Sequence, residues 1–146
     1  MSDPRLNSEN LHASCVAAEG FAVLITGLSG SGKSDLALRL IDRGFTLVSD
    51  DRTIVRKQGG QLVASAPDTI RGKIEVRGIG ILDMDTVPSA PIALVVELAT
   101  EIERMPDDSR ERQVLGIAIP LVSVDAMSAS AALKVALALD RLGLKP

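Results

Sequence analysis

The sequence predicts an α/β domain in which a mixed β-sheet is flanked by helices. Three observations carry this. Phe21–Thr26 and Ile92–Leu98 are short apolar runs without alternation, as strands buried on both faces are. The glycine-rich run from Gly27 to Ser34 joins the first of them to an amphipathic segment. A second helical segment, rich in alanine, lies near the C-terminus at Ser128–Leu142. Strands outnumber helices, and helices so placed pack on a sheet.

Taken in order, residues 1–10 are polar and read as a flexible tail, and residues 11–146 read as a single domain. Leu11–Ala17 and Phe21–Thr26, joined through Glu19-Gly20, read as a hairpin or two neighbouring strands. Ser34–Arg43 is helical by pattern: Leu36, Ala37, Leu40 and Ile41 share a face, and Gly44 sits where a C-terminal cap belongs. Thr46–Ser49 is a short strand that stops at Asp50-Asp51. Thr53–Lys57 and Gln61–Ala66 flank Gly59-Gly60, a hairpin signal. In Ile70–Val76, Arg71, Lys73, Glu75 and Arg77 fall on one face of a strand while Ile74 and Val76 take the other. Ile92–Leu98 follows Pro88 and Pro91, and Glu101–Gln113 is a charged surface segment broken by Pro106. Ile117–Val124 is a strand, and Gly143 ends the final helix.

Composition narrows the function classes. Hydrophobic residues make up 46% of the 146, so a packed core is available, but Phe21 and Phe45 are the only aromatics. A stacking surface for single-stranded nucleic acid needs aromatic platforms, and a net charge of -3 provides no basic footprint for DNA or RNA. Cys15 is the only cysteine, which excludes an internal disulfide and a thiolate metal cage; it reads as a small buried hydrophobe. No run reaches the length of a membrane span, and no signal peptide is evident in the polar first ten residues. These features predict a soluble protein of the reducing cytoplasm.

Gly27-Leu28-Ser29-Gly30-Ser31-Gly32-Lys33-Ser34 matches the phosphate-binding (P-loop) signature G-x-x-x-x-G-K-[ST] at every fixed position, between a buried strand and an amphipathic helix. Glycines let the backbone fold into a nest whose N–H groups point at phosphate oxygens, and the helix N-terminus adds unpaired donors. Lys33 is expected to reach the β- and γ-phosphates of ATP, and the Ser34 hydroxyl to ligate Mg²⁺. Transfer chemistry needs carboxylates beside this cradle. Asp50 and Asp51 close a strand, where open α/β sheets place ligands, yet acidic turns are also common. Glu97, inside an apolar strand, competes as a metal carboxylate. Glu75 shares its strand face with cationic residues, and the residues alone leave a solvated face open. His12 is the only histidine, and a lone histidine is more often structural.

Three blocks, in order, resemble the catalytic domain of HPr kinase/phosphorylase. They are His12 with the strand and loop through Ser34, Arg43-Gly44 through Asp50-Asp51, and Glu75-Val76-Arg77-Gly78-Ile79-Gly80-Ile81. The third is similar to the family's E-I-R-G-L-G-I signature and is the most specific. Together they span residues 11–84. The resemblance implies a P-loop fold of that family and an ATP-dependent protein-serine kinase acting on HPr or an HPr-like phosphocarrier protein. It implies that Asp51 is the general base and that Ser34 and Glu75 hold Mg²⁺. It also implies that Lys33, His12 and Arg104 serve catalysis. Arg77 and its neighbours are cationic and are expected to contact the incoming protein. Family members assemble as hexamers, which implies a homo-oligomer.

Two departures qualify the resemblance. Only a short tail precedes His12, where long members carry an N-terminal domain, so the chain reads as a shortened form. The stretch Pro120–Ser128, which corresponds to a Pro-Gly-Arg-Asn loop tied to the reverse reaction, holds no glycine and no arginine, and this argues against phosphorylase activity. The alternatives are a P-loop kinase of a small metabolite, which lacks an obvious lid here, and a non-catalytic nucleotide sensor.

Overall fold

The structure, a computed structural model, describes residues 7–107 and 109–145. Its strands are β1 (Ser8–Leu11), β2 (Ala13–Ala18), β3 (Phe21–Thr26), β4 (Thr46–Ser49), β5 (Thr53–Gln58), β6 (Gln61–Ser65), β7 (Lys73–Val76), β8 (Gly80–Asp83), β9 (Ser89–Leu98), β10 (Glu111–Val114) and β11 (Ile117–Val124). The α-helices among the described residues are α1 (Lys33–Asp42) and α2 (Ala131–Leu142), and a 3-10 turn at Asp68–Ile70 precedes β7. The expected mixed sheet is present, with the order β1-β5-β6-β9-β3-β2-β4 and with β11 joining β9 and β10. β7 and β8 form a separate two-stranded sheet.

Long β9 organises the curl of this sheet. Its first residues pair antiparallel with β6, and its later ones run parallel to β3 and to β11. One apolar cluster fills one face, with Cys15, Leu24, Val55, Leu62, Val95 and Ile119. The alternate residues of the same strands, Val16, Val23, Ile25 and Val96, face the other way, against Leu36 and Leu40 of α1 and Ala131 and Val135 of α2. Burying both faces explains why β3 and the later part of β9 read as unbroken apolar runs.

The hairpins follow their turn residues. β2 and β3 are antiparallel about Glu19 and Gly20, both at positive φ. β5 and β6 turn at Gly59 (φ 57°) and Gly60 (φ 79°), the signs a type I′ turn requires.

Four elements depart from the sequence reading. The tail expected over residues 1–10 falls partly outside the described residues, but Ser8–Leu11 is β1, paired with β5. Its side chains are mostly exposed, so backbone pairing rather than an apolar face specifies it. Likewise β8 is exposed at every residue, and β10 begins inside the segment expected to be charged surface and runs one residue past its end. β9 begins at Ser89 and runs through Pro91 instead of starting after it. Among the described residues, no helix is long and apolar enough to cross a membrane.

The topology sets up the site. β3 and β4 are both antiparallel to β2, so they run in the same direction and their carboxyl ends leave the sheet at one edge. Ala13 lies opposite Thr26, and Cys15 opposite Ser49, which brings the start of β2 to that edge too.

Candidate active site

At that edge the chain leaves β3 through Gly27–Ser34 and enters α1. Gly30 and Gly32 take left-handed φ of 79° and 103°, which suits glycine, and Gly32 precedes the helix. Lys33 is buried, and its Nζ donates to the carbonyls of Gly27 (2.9 Å) and Leu28 (3.0 Å). The ammonium thus folds back over the loop that it is expected to share with phosphate. Ser31 Oγ is buried in this loop and has no hydrogen-bond partner among the described residues. A buried hydroxyl without a partner is costly and suits a ligand that brings acceptor oxygens.

Asp50 is the centre of the site. Its side chain is buried, and Oδ1 accepts from Ser14 Oγ (2.8 Å) and Ser34 Oγ (2.6 Å). Its Oδ2 accepts from the backbone N–H of Glu75 (3.0 Å). One carboxylate therefore joins the start of α1, strand β2 and the β7–β8 hairpin. The Ser34 proton points at Asp50, which leaves the Ser34 oxygen lone pairs for a hard cation. Such support behind a ligand orients it and raises its basicity.

Asp51 follows in a backbone conformation unusual for a non-glycine residue, with φ 66°. A bond from Arg52 N to Asp50 O (2.7 Å) closes a three-residue turn around it, and Ser49 Oγ bonds Arg52 O. Asp51 lines a cleft of about 430 Å³ whose walls include Ser29–Ser34, Glu75, Arg77 and Met127. The loop, Asp51 and Glu75 of the sequence reading thus meet in one place. Ser34, Asp51 and Glu75 offer oxygen donors of the kind that Mg²⁺ prefers.

Other expected residues lie elsewhere. His12 is exposed at the bend between β1 and β2 and is not among the residues lining the cleft. Arg104 lies in an exposed irregular segment, also off the cleft lining. Glu97 sits beside Thr26 at the end of β9, but it alternates with Val96, which faces α1, so its side chain takes the opposite face. There it lies 3.9 Å from the Arg110 guanidinium and accepts from Ser123 Oγ (3.3 Å), and it is not among the residues lining the cleft. Cys15 is fully buried on that same face, and burial pushes its thiol pKa far up, so it has no nucleophilic character.

Ser14 was not singled out in the sequence. A lone hydroxyl within the buried strand Ala-Ser-Cys-Val-Ala-Ala was the available signal, since a buried polar group needs a partner. Arg39 of α1 was also missed: it donates to the carbonyls of Ala126 and Ser128 and so ties the segment before α2 to the helix beside the cleft.

Comparison with known proteins matches residues 5–139 to the family model described as HPr Serine kinase C-terminal domain. The match extends well beyond residues 11–84, to which the motif resemblance was confined. A protein of Limosilactobacillus reuteri (strain DSM 20016) named HPr kinase/phosphorylase is 40% identical over 129 residues, covering 80% of this chain and 40% of that protein. One of the same name from Chlorobium limicola is 38% identical over 130 residues, covering 80% of this chain and 39% of that protein. The chain therefore spans about 40% of the length of these curated relatives. A solved structure, described as the Hpr(Ser) kinase/phosphatase from Coxiella burnetii, superposes with a TM-score of 0.78 at 31% identity, covering 90% of this chain and 94% of that one. With the cleft, the carboxylates and these matches together, the chain belongs to the HPr serine kinase C-terminal domain family.

Proposed function

We propose that this chain is an ATP-dependent kinase that phosphorylates a serine of HPr or of an HPr-like phosphocarrier protein. The observation that carries the reading is the shared cleft, in which Asp51 and Glu75 stand on the walls formed by the P-loop. Backbone N–H groups of Gly27–Ser34 and the Lys33 ammonium hold the phosphates once Lys33 exchanges its two loop carbonyls for phosphate oxygens. Asp51 accepts the proton of the acceptor serine, a role worth about 10²–10⁴-fold when the carboxylate is well placed. Ser34 and Glu75 would hold Mg²⁺, which when bound neutralises charge on the phosphoryl oxygens. Arg77, on the same wall, faces the incoming acceptor.

The roles proposed for His12 and Arg104 rest on the family resemblance, and alanine substitution of each is expected to lower kcat. The forward reaction is the proposed one, because Pro120–Ser128 holds neither glycine nor arginine. The proposed setting is cytoplasmic, and the proposed assembly is a homo-oligomer, the hexamer of the family; light scattering of the purified protein measures the latter.

The test is intact-mass spectrometry of an HPr-like protein incubated with this protein and Mg-ATP. One added phosphoryl group, mapped to a serine and lost with Asp51→Asn while ATP binding persists, is the expected result. No gain despite measured ATP binding refutes the protein kinase and leaves a small-metabolite kinase or a nucleotide sensor.

A further inference from the structure

Behind the cleft lies a buried hydroxyl that is not among its lining residues. Ser14 is fully buried in β2, on the face that carries Val16 and meets α1. Its Oγ is 2.8 Å from Asp50 Oδ1 and 3.1 Å from the backbone nitrogen of Asp51. Chemistry fixes the direction of both bonds. The Asp51 N–H can only donate, so Ser14 Oγ accepts from it; the Asp50 carboxylate only accepts, so the Ser14 hydroxyl donates to it. The result is a relay from Asp51 N–H through Ser14 to Asp50, in which each bond polarises the next.

We propose that Ser14 is the positioning residue that holds Asp51 in its left-handed conformation and thereby fixes its carboxylate in the cleft. Asp51 needs such support. A non-glycine residue at φ 66° is uncommon and persists where its surroundings over-determine it. The Arg52 N to Asp50 O bond closes the turn around Asp51 from the C-terminal side. Ser14 ties the N-terminal side of the residue, and through Asp50 it links that tie to Ser34 and to the Glu75 backbone. The base, the metal-binding hydroxyl and the Glu75 hairpin are thus referenced to one buried serine on a central strand. This proposal rests on the reading of Asp51 as the base, and its test separates the two.

The first arm is amide hydrogen exchange in the free, unmodified protein, which needs no activity. The Asp51 amide is expected to be protected, and in Ser14→Ala to exchange roughly two- to tenfold faster, the factor for one net hydrogen bond. An unprotected Asp51 amide in the unmodified protein overturns the proposal, and so does protection that Ser14→Ala leaves unchanged. The second arm is the split of kinetic constants. Ser14→Ala is expected to lower kcat for phosphoryl transfer by up to about a hundredfold, the cost of a misplaced reacting group, with KM for Mg-ATP within about threefold. A fall in Tm with kcat unchanged at temperatures below it marks Ser14 as merely structural and overturns the proposal. If the unmodified protein transfers nothing to any acceptor, the kinase reading fails alone, and the exchange arm still decides whether Ser14 holds Asp51.

Discussion

Replacing Asp50 by asparagine changes one atom and tests the centre of the site. Asp50 is 6% exposed, and its carboxylate receives three hydrogen bonds, from Ser14 Oγ, Ser34 Oγ and Glu75 N. Asparagine keeps the shape but offers one acceptor oxygen and one NH₂ group. The Glu75 N–H cannot turn away, whereas the hydroxyls rotate. The amide oxygen therefore faces Glu75, and its NH₂ faces the two serines, whose lone pairs must now accept. A hydrogen bond to a charged group contributes about 1.5–3 kcal/mol net and a neutral one about 0.5–1.5, so each bond loses ~1 kcal/mol. Three such losses total ~3 kcal/mol, which for a chain of this size lowers Tm by about 6–12 °C. The same rearrangement occupies a lone pair of Ser34 Oγ. Freeing it costs about one hydrogen bond, so the affinity for Mg-ATP is expected to fall about tenfold. Circular dichroism melts of the ligand-free protein and calorimetric titration with Mg-ATP measure the two effects. A Tm unchanged or raised in Asp50→Asn refutes the account, since it would mean that the three bonds add nothing beyond the cost of burying the charge.

Further outcomes follow from other parts of the molecule. A Cβ at Gly27 would lie 2.6 Å from Ser31 Oγ and 3.2 Å from Leu98 Cβ, so Gly27→Ala is expected to cost ~1–3 kcal/mol in a urea titration and to abolish ATP binding. Wild-type affinity in that variant would show that the loop does not need the close approach. Cys15 is expected to resist a thiol reagent at pH 8 until the chain unfolds, because burial raises its pKa above the ordinary 9.0. The sign follows: this contribution to stability is full below pH 9.0 and is lost as pH rises toward the folded value. Rapid labelling of the native protein contradicts it. Gly59→Asn is expected to stabilise the β5–β6 hairpin by about 0.4–1 kcal/mol, since asparagine suits this turn position and restricts the unfolded chain. A lower urea midpoint would exclude the type I′ assignment.

What the sequence made legible is what local chemistry specifies. The P-loop carried its own signature, the glycine pair marked the β5–β6 turn, and the two-sided burial of β3 and of the later part of β9 left unbroken apolar runs. The strands β1 and β8 escaped because exposed pairing leaves no hydrophobic pattern to read. The face of Glu97 was illegible for another reason: it depends on which side of β9 carries α1, a property of the assembled sheet. Asp50 and Asp51 looked equivalent as an acidic pair. The structure separates them through backbone geometry and partners 16, 25 and 36 residues away, which no local spacing encodes.

Those separations bear on how the protein becomes competent after synthesis or refolding. The hairpin β2–β3 and helix α1 draw on neighbouring residues and have short loops to close. The Asp50 junction has no local precursor: it exists only once β2, β4, α1 and the β7–β8 hairpin have all docked. Contacts that close long loops form late, after their entropy has been offset elsewhere. Refolding protein is therefore expected to regain its far-ultraviolet dichroism before it regains the ability to bind Mg-ATP. The lag between the two signals times the closing of a single carboxylate.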